Sequence, residues 1–494
     1  MTIKKITSYL WILLNVCLGF ALGWLISFGF LNLDDQILIF IISGSSAIIH
    51  AFITYQIIKN GKHKKTLKKL FFSIQLLIVI LIAGIYLSQS FIFQNKPLLS
   101  SDYEKSFTKL WKAMDRAYPY FELKNVDWDE MYDIYYPKVQ MISDQQEYFE
   151  MIAQMLAELE DGHTNVVSPP LEKRIFASVR MSGDLAMIDQ IGYSAEMAGL
   201  RPGDLLLGLN GKSIEDIIPT IDITYKSAST PWARKLRAIN QLLTVPDDEN
   251  EVLIVTVLDH TSQEKEIQLR RLEVPSPWSS TFNEESKQAV TWDELTADIG
   301  YIRIDRLWNN QDDIVKEFDD ALNSFFQKEG IILDLRQNGG GDSRMAEKIA
   351  GRFLDKSFVY GRDEFKQRLF KFAWRESVNY SVKPRETVYP GKLVVLIDYP
   401  VMSSAEWLVG SLVDSSRAIT VGRTTGGATG NPIQFSFPGG SVRYSTASFY
   451  RPDGQLVEGQ GYTPDVVIEW TIEDYLKGID PDIQAAIEWI EQQE

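Results

Sequence analysis

The 494-residue chain is expected to fold as an α/β protein that follows a strongly apolar N-terminal region. Three observations predict this. Between residues 275 and 490, short apolar runs of strand type alternate with amphipathic helical patterns, the order that builds a sheet with helices packed on it. Between 170 and 274 the pattern is that of short strands and turns. Before residue 98, the stretches Ile6–Leu33, Gln36–Ile58 and Leu70–Asn95 carry no Asp, Glu, Lys or Arg, and each exceeds the roughly 20 residues that a bilayer-spanning helix needs.

Residues 1–97 therefore read as a membrane anchor with three transmembrane helices. Lys4 and Lys5 precede the first stretch, and the loop Lys59–Lys69 holds six lysines and no acid. The loop between the first two stretches holds Asp34 and Asp35 instead. Basic loops stay on the cytoplasmic side. The expectation is an integral membrane protein with a cytoplasmic N-terminus, a lipid bilayer as partner, and an extracytoplasmic catalytic region. The first stretch is too long for the apolar part of a signal peptide.

Charge separates along the chain. The formal net charge is −16, yet residues 1–97 contain nine lysines and only two aspartates, so the acid lies beyond residue 97. Such a region is a poor nucleic-acid binder, because phosphate recognition relies on Lys and Arg. Cys17 is the only cysteine, which excludes a disulfide framework and a cysteine-based metal site.

Residues 98–169 read as a helical subdomain. Ser143 and Gln146 have capping-box spacing, and Tyr148, Phe149, Ile152, Met155, Leu156 and Leu159 follow at helical intervals. Gly162 is a candidate helix stop, and His163 comes directly after it. In residues 170–274, the run from Ser194 to Asp204, then Leu205-Leu206-Leu207 and Asn210-Gly211, gives a short helix, a turn, a strand and a tight turn. Order and spacing resemble a PDZ domain, which implies peptide binding as an added strand with capture of a C-terminal carboxylate; a PDZ-like spacer is the alternative. In residues 275–494, Ile299–Ile304 is a strand, and Ile314, Phe318, Leu322 and Phe325 mark a helix. Ile331–Leu335 is a buried strand that runs into Asn338-Gly339-Gly340-Gly341. Leu393–Ile397 is another, followed by Ser403 and a helix carrying Leu408, Val409 and Leu412.

Ser403 sits where a buried strand turns into a helix. A serine there is exposed to free backbone N–H groups that can meet an oxyanion, or it is simply an N-cap. A catalytic serine needs a base, usually histidine. Of the four histidines, His50 falls in the second apolar stretch, His63 in the lysine-rich loop and His260 in a hairpin turn. His163 remains, as a base or as a structural histidine. The Gly339-Gly340-Gly341 loop lacks the trailing Gly-Lys-Ser/Thr of a phosphate loop. It reads as a tight turn, or as a backbone donor beside Ser403.

Five segments then occur in the order found in the C-terminal processing (tail-specific) protease family, and look most like its tricorn-core branch. They are Asp161-Gly162-His163-Thr164, Asp334 to Gly341, Ser403-Ser404-Ala405-Glu406, Val421 to Gly427, and Glu458 to Asp465. The resemblance covers roughly residues 100 to 480. It implies a Clp-protease/crotonase-like core with the PDZ-like module inserted. It implies Ser403 as nucleophile, and the N–H groups of Ser404 and of Gly339 or Gly340 as oxyanion donors. One branch of the family carries a lysine base where this chain has Ala428. The tricorn-like branch uses a histidine, matched by His163, assisted by a glutamate, matched by Glu458. The serine that precedes the histidine in that branch is Gly162 here. The function implied is a serine peptidase acting on proteins or peptides by an acyl-enzyme route, with substrate C-termini as the PDZ-like module's target and with no metal or cofactor. The rival reading is a catalytically inactive, PDZ-containing membrane protein that binds peptides or small ligands. With an ordinary histidine pKa near 6.5, kcat/KM is expected to rise through roughly pH 6 to 7.5.

Overall fold

The computed structural model describes residues 100–168, 176–182, 185–220, 228–243, 251–270, 288–308, 311–369, 372–385, 387–437 and 440–492. Nearly all of them belong to one compact unit, Leu98–Ser436 with Gly440–Glu494.

Among the described residues three helices come first: α1 (Ser100–Ala117), α2 (Trp128–Met141) and α3 (Gln145–Ala157). They pack through aromatic side chains, with Tyr103 stacked on Tyr148 at 4.8 Å. The cap of α3 differs from the expectation. Asp144, not Ser143, accepts the N–H groups of Gln146 and Glu147, because an ionised carboxylate also complements the helix dipole. The helix ends at Ala157, ahead of Gly162.

The expectation of three transmembrane helices needs correcting. Among the described residues no helix is long and apolar enough to cross a membrane. The longest, α1, carries Asp102, Glu104, Lys105, Lys109, Lys112, Asp115 and Arg116 along its length, and buries only one face, at Tyr103, Phe107, Leu110 and Met114. The three apolar stretches lie outside the described residues. Among the described residues the fold is α/β without spans. The assignment as an integral membrane protein, with a cytoplasmic N-terminus and an extracytoplasmic catalytic region, is withdrawn with them.

A strand β1 (Asn165–Ser168) follows the helices. Next come β2 (Ala177–Ser182), β3 (Leu185–Ile191), α4 (Tyr193–Ala198), β4 (Leu205–Leu209), β5 (Lys212–Ser213), α5 (Ile214–Ile217), α6 (Pro231–Leu242), β6 (Val252–Leu258) and β7 (Glu264–Arg270). Strands β2-β3-β4-β6-β7 form an antiparallel sheet in that order. Its apolar face packs Ile188, Leu206, Val255 and Leu269 against Ile239 of α6. The Asn210-Gly211 pair makes the β4–β5 turn with φ of 49° and 76°, as two consecutive left-handed residues require.

The main sheet is built from β8 (Val290–Glu294), β9 (Ile299–Ile304), β10 (Gly330–Asp334), β13 (Lys392–Ile397), β14 (Ile419–Gly422) and β18 (Val466–Val467). Its order is β18-β14-β13-β10-β9-β8, parallel except for the β8 edge. Both faces are covered, which is why the central strands read as unbroken apolar runs. Ile331, Leu333, Leu393 and Val395 face α7 (Gln311–Ser324), α8 (Ser343–Ala350) and α9 (Ser404–Val413). Ile332, Val394 and Leu396 point the other way, to Ala486 and Ile490 of α11 (Pro481–Gln492), which a short α10 (Ile472–Leu476) precedes. The long hairpin β11 (Phe358–Leu369) and β12 (Phe372–Val382) pairs with β17 (Ala447–Tyr450). Strands β15 (Ile433–Phe437) and β16 (Gly440–Tyr444) pair with each other, and β16 pairs with β1. The β1–β16 pairing sets Asn165 opposite Arg443, two residues beyond His163.

Candidate active site

Ser403 lies six residues beyond the end of β13 and caps α9. Its backbone has φ 59° and ψ −130°, a conformation that costs a non-glycine residue of order 1–3 kcal/mol. The strain is held from two sides. The Ser403 N–H donates to the Ala428 carbonyl at 2.8 Å, and the Met402 N–H to Asn338 O at 3.2 Å. The Ser403 side chain caps nothing, so its hydroxyl is free for other work.

The glycine loop after β10 lies directly against this turn. A Cβ on Gly340, whose φ is +90°, would stand 2.8 Å from Ser403 Cβ and 2.9 Å from Ser404 N; only glycine fits there. Ser404 Oγ donates to Gly341 O at 2.8 Å. The Gly340 N–H is already engaged, donating to Asn338 Oδ1 at 2.9 Å. Among the described residues, the N–H groups of Gly339 and Ser404 donate to nothing. Of the three expected oxyanion donors, two are therefore free and one is not.

Glu406, one turn into α9, was not singled out from the sequence as a site residue. It is fully buried and accepts from Thr425 Oγ1 at 2.5 Å, Gly427 N at 2.9 Å and Ala428 N at 3.0 Å. Burial pushes its carboxyl up to about 7, against the pull of those donors. It fixes the loop whose Ala428 carbonyl holds Ser403. Its helical position beside Ser403 was the available signal; its partners lie some twenty residues downstream.

His163 is buried, and its Nδ1 has no hydrogen-bond partner among the described residues. Burial pulls its pKa down to about 4; the Asp161 charge opposes this, while Arg443 and Arg237 add to it. The turn that carries it approaches Ser403 closely. A Cβ on Gly162 would lie 3.1 Å from Ala428 Cβ and 3.4 Å from Met402 Cε, the two residues that flank or bind Ser403. Among the described residues no hydrogen bond joins Ser403 to the His163 ring. Asp161 organises the turn, accepting from His163 N at 2.8 Å and from Thr164 Oγ1 at 2.6 Å.

Glu458 is buried in the same region, and its electrostatic neighbours are Asp161 and Lys124 rather than the imidazole. Lys124 Nζ stands 3.0 Å from Glu458 Oε1, at ion-pair distance but without hydrogen-bond alignment, and donates to Glu160 O at 2.8 Å. Burial, followed by the Asp161 charge, pushes Glu458 up to about 8; Lys124 and Ser229 pull the other way. Lys124 and Ser229 carry no motif of their own, and nothing in their local sequence marks them. His260 is exposed in the β6–β7 turn, away from these residues. No group of three or more His, Cys, Asp or Glu that could hold a metal occurs among the described residues.

Residues 298–468 match the model of Peptidase family S41, and residues 100–157 that of the Tricorn protease C1 domain. Residues 298–468 are thus similar to a family S41 peptidase domain, and residues 100–157 to a tricorn C1 domain. The chain is 27% identical over 337 residues to a protein of Staphylococcus aureus (strain COL) described as a probable CtpA-like serine protease, covering 64% of this chain and 58% of that one. It is 28% identical over 193 residues to a carboxy-terminal-processing protease of Bartonella bacilliformis, covering 38% and 42%. The chain thus spans 58% of the length of the first of these relatives and 42% of the second. In fold it is similar to mature CPAF, with a TM-score of 0.60 at 15% identity over 80% of this chain and 97% of that one.

Proposed function

We propose that this protein is a serine peptidase of C-terminal-processing type, hydrolysing peptide bonds through an acyl-enzyme with Ser403 as nucleophile and His163 as base. The observation that carries this is the Ser403 turn. Strain of this kind on a non-glycine residue persists where the surroundings impose it, and it clusters at active sites. The hydroxyl is uncommitted, and two free N–H groups flank it. His163 takes the Ser403 proton as Oγ attacks the scissile carbonyl. The N–H groups of Ser404 and Gly339 hold the developing oxyanion. The imidazolium then protonates the leaving amine, and water attacks the ester by the reverse route. The ring and hydroxyl meet in the substrate complex, since such contacts tighten on binding. Glu458 supports the imidazolium from beyond Asp161.

The β-rich residues 176–270 serve, in this reading, as a PDZ-like module between a helical subdomain of residues 98–169 and a protease core of residues 275–494. The module would capture the C-terminal carboxylate of a substrate. Amidating a peptide's C-terminus should then weaken its cleavage, and equal cleavage of both forms would remove this role.

One observation favours the rival reading, an inactive peptide binder: the missing bond between Ser403 and His163. A fluorophosphonate probe decides between the two, because it reacts only with an activated serine. Labelling of the wild-type chain that is lost in Ser403→Ala supports the peptidase. Absence of labelling at any pH between 6 and 9 would leave the binder.

A further inference from the structure

The turn that carries His163 is gripped from outside the peptidase domain. Ser229, Arg234 and Arg237 all come from the segment that leads into α6 of the β-rich module or from α6 itself. Arg234 pairs with the Glu160 carboxylate at 2.7 Å, and Arg237 donates to the Gly162 carbonyl at 3.4 Å. Ser229 Oγ accepts the Gly162 N–H at 2.9 Å. The two arginine contacts are partly exposed or long, and contacts of that kind contribute little. Ser229 is different, being 6% exposed.

Its hydroxyl has no local duty. The cap of α6 is Thr230, whose Oγ1 accepts from Ala233 N. A serine hydroxyl carries one proton and two lone pairs. One lone pair is spent on Gly162, and the proton is left to give. The acceptor beside it is Glu458, neither of whose oxygens accepts an aligned hydrogen bond among the described residues. The Ser229 backbone borders the same loop, its carbonyl lying 3.6 Å from where a Gly459 Cβ would stand. Ser229 Oγ also stands 3.3 Å from the Cβ position of Gly162. It occupies the place a side chain at residue 162 would otherwise reach.

We propose that Ser229 is a positioning residue for the His163–Ser403 pair: its hydroxyl holds the Gly162 N–H and offers its proton to Glu458, tying the base-bearing turn to that buried acid. This rests on the reading of Ser403 and His163 as nucleophile and base. Glu458 is faced by Asp161, Lys124, Ser229, Tyr118 and Tyr120, and His163 by Asp161, Arg443 and Arg237. Of these, Ser229 comes from the β-rich module and accepts the Gly162 N–H directly before His163 while lying against the Glu458 carboxylate. Removing its hydroxyl withdraws a donor from the ionised form of Glu458 and frees the Gly162 N–H. The ionisation of Glu458 then moves to higher pH.

The test uses the purified full-length chain with fluorescein-labelled β-casein, comparing wild type, Ser229→Ala and Ser229→Thr across pH 5 to 10. Ser229→Ala should lower kcat/KM about tenfold with KM changed less than about twofold, as expected when one charge-linked hydrogen bond is lost. The activity rise near pH 8 should move upward. Ser229→Thr keeps the hydroxyl and should return both to near wild type. An unchanged profile in Ser229→Ala, or a Ser229→Thr as impaired as Ser229→Ala, would overturn the proposal. Failure of the peptidase reading itself is separable, as it shows in the wild type as absence of fluorophosphonate labelling at Ser403. In that event the nitrogen NMR signals of the His163 ring still decide. They shift in Ser229→Ala if Ser229 positions the turn, and coincide with wild type if it does not.

Discussion

The two halves of the candidate site are built by different means. The Ser403 half is backbone architecture: a buried parallel strand, a helix and a glycine loop, locked by the Ser403–Ala428, Met402–Asn338 and Ser404–Gly341 hydrogen bonds. The His163 half is a short turn held by side chains from distant parts of the chain, namely Asp161, Lys124, Ser229 and Glu458. The first half is rigid because the sheet and α9 are buried on both sides. The second is a polar cluster in which buried Glu458 lies against both the Asp161 carboxylate and the Lys124 ammonium, so its geometry depends on protonation. The comparison teaches that the proposed nucleophile is set by the fold, whereas the proposed base is set by electrostatics laid over the fold.

The sharpest way to break this contrast is to remove one reacting group from each half. Ser403→Ala and His163→Ala should each lower kcat/KM for casein by about 10³-fold or more, as loss of a nucleophile or base does in serine hydrolases. Their effects on stability should differ. Ser403→Gly, which relieves a left-handed φ of 59°, should raise the unfolding free energy by up to about 1 kcal/mol, read from denaturant melts. A Ser403→Gly variant no more stable than wild type would mean that the strain argument is wrong. If His163→Ala retained wild-type turnover, some other group would activate Ser403.

A second, smaller effect tests how the nucleophile half is locked. Glu406→Ala deletes a buried acceptor of three hydrogen bonds and strands their donors. Leaving such groups unpaired costs about 1–3 kcal/mol each, so the melting temperature should fall by several degrees and kcat/KM by about 10²-fold, through the slackened Ala428–Ser403 bond. Glu406→Gln preserves size and part of the bonding, and should fall between. If Glu406→Ala lost activity without losing stability, the residue would have a chemical rather than a tethering role.

What was legible in the sequence follows the same division. The strand Ile299–Ile304 has the bounds that its apolar pattern gave, and β10 and β13 fall within a residue of theirs, because doubly covered strands write continuous apolar runs; α9 carries Leu408, Val409 and Leu412 as expected. The glycine loop and Ser403 were visible for the same reason, as punctuation between strand and helix. Three features were hidden. Asp144 displaced Ser143 as the cap of α3, since two adjacent polar residues compete for one position and only the chain path chooses. The Gly340 N–H is spent on Asn338, which no spacing rule reveals. Lys124 and Ser229 meet Glu458 only through tertiary folding, across separations of more than two hundred residues. The expected helical spans came from hydropathy alone, and the described residues contain no helix that bears them out.

The pH response sharpens the contrast further, at an expected tenfold effect. An unperturbed histidine would place the rise of kcat/KM near pH 6 to 7.5. Burial takes His163 down to about 4, so the deprotonated base is already present at pH 6 and its limb should lie below pH 5. A second rise is then expected near pH 8, as Glu458, pushed up to about 8, ionises and can support the imidazolium. Glu458→Gln should abolish the second rise, leave the first, and lower kcat/KM at pH 9 about tenfold. Stability should move oppositely. A carboxyl raised above its ordinary 4.5 favours the folded state below that pH, and this advantage is lost as pH rises towards 8. The melting temperature of Glu458→Gln should therefore gain on wild type between pH 5 and 8.5. A constant difference across that range would show that Glu458 does not titrate there.

The smallest expected effect belongs to the other histidine among the described residues. His260 sits at the β6–β7 turn and is exposed. Its neighbour Asp259 does the work of that turn, accepting from Thr261 N, Thr261 Oγ1 and Gln263 N and pairing with Lys265. The imidazole of His260 contributes only a weak pull on the Asp204 carboxyl, whose dominant influence is burial. Exposed side chains without structural partners change stability by less than about 0.5 kcal/mol when truncated. His260→Ala should leave kcat/KM within about twofold of wild type at every pH, and both limbs unmoved. This is the sharpest control on the base assignment, because it removes an imidazole without touching the buried cluster. If His260→Ala shifted either limb, the titration would have to be carried by the β-rich module rather than by the His163 turn, and the division between a nucleophile fixed by fold and a base fixed by its polar cluster would fail.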